Sequence, residues 1–210
     1  MRRTLSRTTV ALAALGVLVA PAPVVADAPA PVTRHDLLTL ADDEVVFPDM
    51  HDPIRVVLRS PVFAPRGCED QGQVVRGRSR ISSSVSPDAR RRSVWMIDQD
   101  VVRFGSRADA RALVHRYRHF SKHCVGNVAT DDGEGGDVTL KNRAWQPPRV
   151  GDESAGMLIG WFQGGSAEWR RVLVVRVGRT VTVLDVDFSD IRPPRSQVLA
   201  LGRLAVERLD

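Results

Sequence analysis

The apolar pattern is densest in the runs WRRVLVVRV and TVTVLDVDF, which meet at Gly178-Arg179. Two β-branched runs around a Gly-X pair predict an antiparallel hairpin over residues 169–188. Upstream, 138–145 and 155–162 read as strands, divided by the turn Gly151-Asp152-Glu153-Ser154. Gln163-Gly164-Gly165-Ser166 leads into the hairpin. Residues 93–104 form another strand through Val94, Met96, Val101, Val102 and Phe104, and 73–84 alternate as one exposed strand. The stretch 42–67 is irregular, with a short strand near 54–58.

The helical period appears in few places. Ser106 is an N-cap with Asp109 in the first turn, and a helix follows to about Cys124, where Gly126-Asn127 stops it. After Pro193-Pro194, Ser196 caps a last helix to Leu209. Its apolar face is Val198, Leu201, Gly202, Ala205, Val206 and Leu209, with Arg203 and Glu207 opposite. A short helix begins near His35, Leu38 and Leu40. This order predicts an α+β fold: a curved antiparallel sheet with two main helices packed on it.

The N-terminus changes how much chain enters that fold. A basic start (MRRTLSR), an apolar run (VALAALGVLVA) and small residues around Ala26 read as a secretory signal peptide over 1–26. The Pro/Ala-rich residues 27–34 read as a flexible leader, and 35–210 as one domain. The chain is expected to be secreted and monomeric. Arg2, Arg3 and Arg7 leave with the signal, so the 30 basic residues fall to 27 against 25 acidic ones. That balance argues against a nucleic-acid partner. Cys68 and Cys124 are the only cysteines, and in an exported chain they are expected to form one disulfide.

Candidate chemistry starts with the stretch HRYRHFSKHC. On a helical wheel Ala110, Leu113, Tyr117, Phe120 and Cys124 form the inner face, while His115, His119 and His123 lie outside beside Arg118 and Lys122. Cys124 therefore points away from the histidines. Without an HExxH arrangement, and among cations, the row is expected to hold no metal. It reads as a solvated basic face, or as an interaction face for an acidic envelope partner. The acidic stretch TDDGEGGD matches neither Ca²⁺-loop spacing and reads as a surface loop. No GxSxG elbow or phosphate loop is present, and Glu153 and Glu168 would pair only through tertiary folding. An enzyme is not expected, nor a cofactor. The four tryptophans Trp95, Trp145, Trp161 and Trp169 all fall on or beside strands. If the sheet is incompletely covered, they are the candidates to line a ligand cleft, with Arg143 and Arg170 as polar partners.

The stretch VVRFGSRADARALVHRYRHFSKHC, then VGDES, VLVVRVGRTVTVLDVDF and the C-terminal helix, resembles the PknH-like extracellular sensor domains of actinobacteria over roughly residues 68–209. The resemblance implies an α+β fold with a cleft between sheet and helices, and a ligand-sensing role. The family often carries two disulfides, whereas this chain has cysteines for one, and a free-standing module without a kinase domain is expected. The expectation is an exported, non-catalytic module of the cell envelope that binds a small or lipid-like ligand. The alternative is an interaction or structural module acting through the Arg/His face.

Overall fold

The structure is a computed structural model that describes residues 30–59, 61–65, 68, 72–88, 93–131 and 136–210. The signal segment and residues 132–135 of the acidic stretch lie outside the described residues. The strands are β1 (Ile54–Leu58), β2 (Phe63–Ala64), β3 (Gln73–Val74), β4 (Ser79–Ser86), β5 (Val94–Arg103), β6 (Gly126–Asp131), β7 (Asp137–Trp145), β8 (Glu153–Gln163), β9 (Ser166–Val177) and β10 (Thr180–Ser189). The helices are α1 (Leu40–Val46), α2 (Arg107–His123) and α3 (Arg195–Leu209).

Eight strands form one sheet in the order β1-β4-β5-β10-β9-β8-β7-β6. Every pairing in it is antiparallel. The fold is α+β, as the sequence predicts. The β9–β10 hairpin turns on Gly178 at φ 57°, with Val177 paired to Thr180. Among the described residues Arg179 does not share the positive φ, so the turn is of the type with glycine at its first central position.

The hairpin explains why its apolar runs hardly alternate. Val172 and Val174 of β9 and Val181 and Val183 of β10 pack with Leu113, Val114, Tyr117 and Phe120 of α2. The intervening Leu173, Val175, Leu184 and Val186 pack with Val198, Leu201 and Ala205 of α3. Neighbouring strand residues point to opposite faces, so α2 and α3 sandwich the sheet between them. A centre buried on both faces needs apolar side chains at nearly every position.

Ser106 caps α2 by accepting from the Asp109 amide at 3.1 Å, as expected. Cys124 ends the helix and is bonded to Cys68 at 2.05 Å. The inner face of α2 also takes in Val114 and Ser121.

Several expectations are corrected. The cap of α3 is Pro194, with no side-chain cap bond, rather than Ser196. Residues 73–84 do not form one strand: β3 pairs with β2 in a separate ribbon, and β4 starts at Ser79. Gly126-Asn127 does stop α2, but it also opens edge strand β6 on the way into the acidic stretch. Near the N-terminus a 3-10 turn (Arg34–Asp36) and α1 replace the single helix, each with a Thr/Asp capping box. The packed chain starts inside the segment read as leader. Val32 is buried against Leu37, Ile81 and Val101, and its amide donates to Ser79 Oγ. Buried Gln99 anchors this segment to the sheet, accepting from Leu38 N at 2.7 Å and donating to Thr182 Oγ1.

Candidate functional site

Helix α2 covers only part of its sheet face. By register, the rest of that face carries Asp98 and Asp100 from β5, Asp185 and Asp187 from β10, Glu168 and Arg170 from β9, and Ile159 and Trp161 from β8. A bulge between Asp187 and Phe188 leaves Trp95 without a partner in the ladder. Such a bulge re-aims a side chain, and Trp95 joins the same face. Phe63 and Ala64 of β2, with Tyr117 of α2, close the other side, where Tyr117 Oη donates to the Phe63 carbonyl at 3.2 Å. All of these residues except Asp98 line a cavity of 430 Å³, within the usual range for small-ligand sites. Beyond β4 the face continues onto edge strand β1, whose Ile54, Val56 and Leu58 are exposed.

Four carboxylates, Asp100, Glu168, Asp185 and Asp187, line the cavity with one guanidinium, Arg170. Arg170 holds Asp187 with two hydrogen bonds, Nε to Oδ1 at 2.8 Å and Nη2 to Oδ2 at 3.1 Å. Burial would weaken its hold on its proton, but Asp185 and Asp187 outweigh this and Arg170 stays charged. Asp100 accepts from Ser82 Oγ, yet burial dominates and raises its carboxyl. Asp187 is raised by burial as well, against the pull of Arg170. Asp185 is pushed up to about 7, first by burial, with Arg170 opposing and Asp187, Asp100 and Asp98 reinforcing. Its Oδ1 is buried without a hydrogen-bond partner among the described residues, and so is Trp95 Nε1. Leaving a buried donor or acceptor unpaired costs roughly 1–3 kcal/mol. Both atoms belong to residues that line the cavity.

The tertiary structure sorts the six ligand candidates. Trp95, Trp161 and Arg170 lie on the cavity face. Trp169 borders the cavity, but its ring lies on the α3 face of the sheet, where it packs on Gly160, meets Phe162 edge-on and sits under Arg192. Trp145 also faces that side, buried against Gly156 and beneath Arg171. Arg143 is spent on the Gly126 carbonyl and Asn127 Oδ1 at the sheet edge.

His115, His119 and His123 are exposed on α2. His119 and His123 stack at 4.2 Å, and His115 Nε2 lies 3.8 Å from Glu153 Oε2. Glu153 and Glu168 sit at opposite ends of the β8–β9 ladder. Among the described residues no group of three or more His, Cys, Asp or Glu converges as a metal site.

The cavity's aspartates were missing from the candidates read out of the sequence. A signal for them exists: Asp98/Asp100 and Asp185/Asp187 are each spaced by two within a strand, which puts polar groups on one face of the sheet.

The geometry defines a class, an antiparallel α+β domain with helices on both sheet faces and a ligand-sized cavity beside one of them. The model of the PknH-like extracellular domain family matches residues 71–207, and the chain belongs to that family. The crystal structure of the extracellular domain of PknH from Mycobacterium tuberculosis shares the fold, with a TM-score of 0.62 at 13% identity, covering 86% of this chain and 97% of that one. No curated protein matches the sequence. Membership of an extracellular-domain family agrees with an exported chain. Among the described residues no helix is long and apolar enough to cross a membrane.

Proposed function

We propose that this chain is an exported, non-catalytic, sensor-like module, released by cleavage of its signal segment, that binds a small ligand in the cavity between α2, β2 and the sheet. The observation that carries this reading is a cavity of 430 Å³ lined by Asp185 and Trp95, each of which keeps an unpartnered polar atom buried behind the wall. A ligand whose donor and acceptor draw these atoms into the cavity removes both penalties on binding. Trp161, Tyr117 and Phe63 supply aromatic wall, and the excess of carboxylates favours an ammonium or hydroxyl donor. The acidic floor favours a polar ligand over a bare lipid tail; the exposed row Ile54, Val56 and Leu58 suits an apolar appendage on it.

The test is tryptophan fluorescence and thermal shift against small amines, quaternary ammonium compounds and polyols. A saturable quench is expected with at least one class, and Trp161→Ala or Asp185→Asn is expected to weaken it by roughly tenfold, about 1.4 kcal/mol. Unchanged affinity in both variants, each folded by circular dichroism, refutes the cavity as the site.

A further inference from the structure

A second concavity lies on the other flank of α2, between the helix and residues 145–156, with a volume of 650 Å³. Its lining contains Arg107, Arg111, Arg118 and Lys122 from α2, with Arg149 and Arg176 across from them. The four α2 residues fall within about 60° of arc on the helical wheel and extend over about 22 Å of helix. Against these six cations stand two carboxylates, Asp152 and Glu153.

Those carboxylates are already committed. Glu153 takes Arg111 at 2.8 Å and Arg176 at 3.1 Å, and Asp152 takes Arg176 at 2.8 Å and the Gly178 amide. Burial works against the ionised Glu153, but the hydrogen bonds from Arg111 and Arg176 outweigh it and hold its carboxyl low. These pairs fix the guanidinium groups in the floor. Arg107, Lys122 and Arg149 have no ion-pair partner among the described residues. The unneutralised charge is therefore strung along the groove, from its Arg107 end to its Lys122 end.

We propose that this groove binds a linear polyanion, a flexible chain of repeating phosphate or sulfate groups lying along α2. One small anion satisfies only one end of such a row. A flat anionic surface does not reach cations on the facing walls of a concavity. A chain reaches them in succession, and each contact releases counterions, which makes the affinity steeply salt-dependent.

The test uses the full exported chain and two probes, short-chain polyphosphate and a heparin-derived oligosaccharide, titrated calorimetrically over a range of salt. Tighter binding is expected for longer chains of at least one probe. The Arg107→Ser, Lys122→Ser, Arg149→Ser triple variant is expected to lose about tenfold or more in affinity, and its log K against log salt is expected to be shallower by about 2. These positions pair with no carboxylate, so an unchanged melting temperature checks that the fold is intact. Asp185→Asn is expected to bind both polyanions as the parent does, which separates this site from the cavity on the other flank. Preference for polyphosphate or for the sulfated glycan identifies the source of the anionic groups. Four results overturn the proposal: no binding of either probe, equal affinity in the triple variant, inorganic phosphate binding as tightly as the chain, or binding to anionic vesicles alone.

Discussion

At the residue scale the group that sets the cavity's behaviour is Asp185. Burial keeps its carboxyl raised to about 7, and Asp43, also buried, is raised to about 7 by the same cause despite Arg55. A carboxyl raised on folding contributes stability that is fully present below its unfolded value near 3.8 and is lost as pH rises through about 7. The protein is therefore expected to melt at lower temperature as pH rises from about 4 to about 7. Asp185→Asn is expected to flatten that slope and to raise the melting temperature at the alkaline end, read by thermal denaturation across pH. The aspartate facing Arg170 acts differently. Asp187→Asn breaks a bidentate pair and leaves a guanidinium facing the cavity without its carboxylate, so it is expected to destabilise.

At the element scale α2 carries three functions on two arcs. Its inner arc packs on the sheet and offers Tyr117 to the cavity, and the adjoining arc lines the basic groove with arginines. The helix is held at both ends. Ser106→Ala is expected to cost about 1 kcal/mol through loss of the cap, measured by denaturant unfolding. The Cys68–Cys124 bond closes a sequence separation of 56 residues. Removing it with a Cys68→Ser, Cys124→Ser pair is expected to cost about 4 kcal/mol on the chain-entropy account. Much of α2 was legible beforehand, because the cap and the apolar period are local. The short elements were less so. The ends of β3 and β4 and the start of β6 depend on which strand lies alongside, so 73–84 reads as one strand and Gly126-Asn127 only as a helix stop.

At the scale of the whole molecule the sheet is a partition with different chemistry on each side. The α3 side is closed over, and its close approach depends on glycine. A Cβ on Gly156 would lie 2.6 Å from Trp145 Cε3 and 3.0 Å from the Val172 carbonyl, which cannot yield easily. Gly156→Val is expected to cost about 1–3 kcal/mol by overpacking, seen as a lower unfolding midpoint with the cavity-side residues untouched. The α2 side is covered over its apolar part and open over its polar part, and that opening is the cavity.

The sequence by itself determined the order of the main elements, the antiparallel hairpin, the inner face of α2 and the disulfide between its only two cysteines. Each follows from local period, turn chemistry or count. Only the tertiary structure decided which sheet face each tryptophan occupies. Trp95, Trp145, Trp161 and Trp169 look alike in sequence, but strand register and one bulge put the rings of Trp95 and Trp161 on the cavity face and those of Trp145 and Trp169 on the α3 face. Register, too, gathered four aspartates from two strands far apart in the chain, since β10 inserts between β5 and β9. Local pattern can show that a residue alternates, but not what it will face, because that depends on which strand comes to lie beside it.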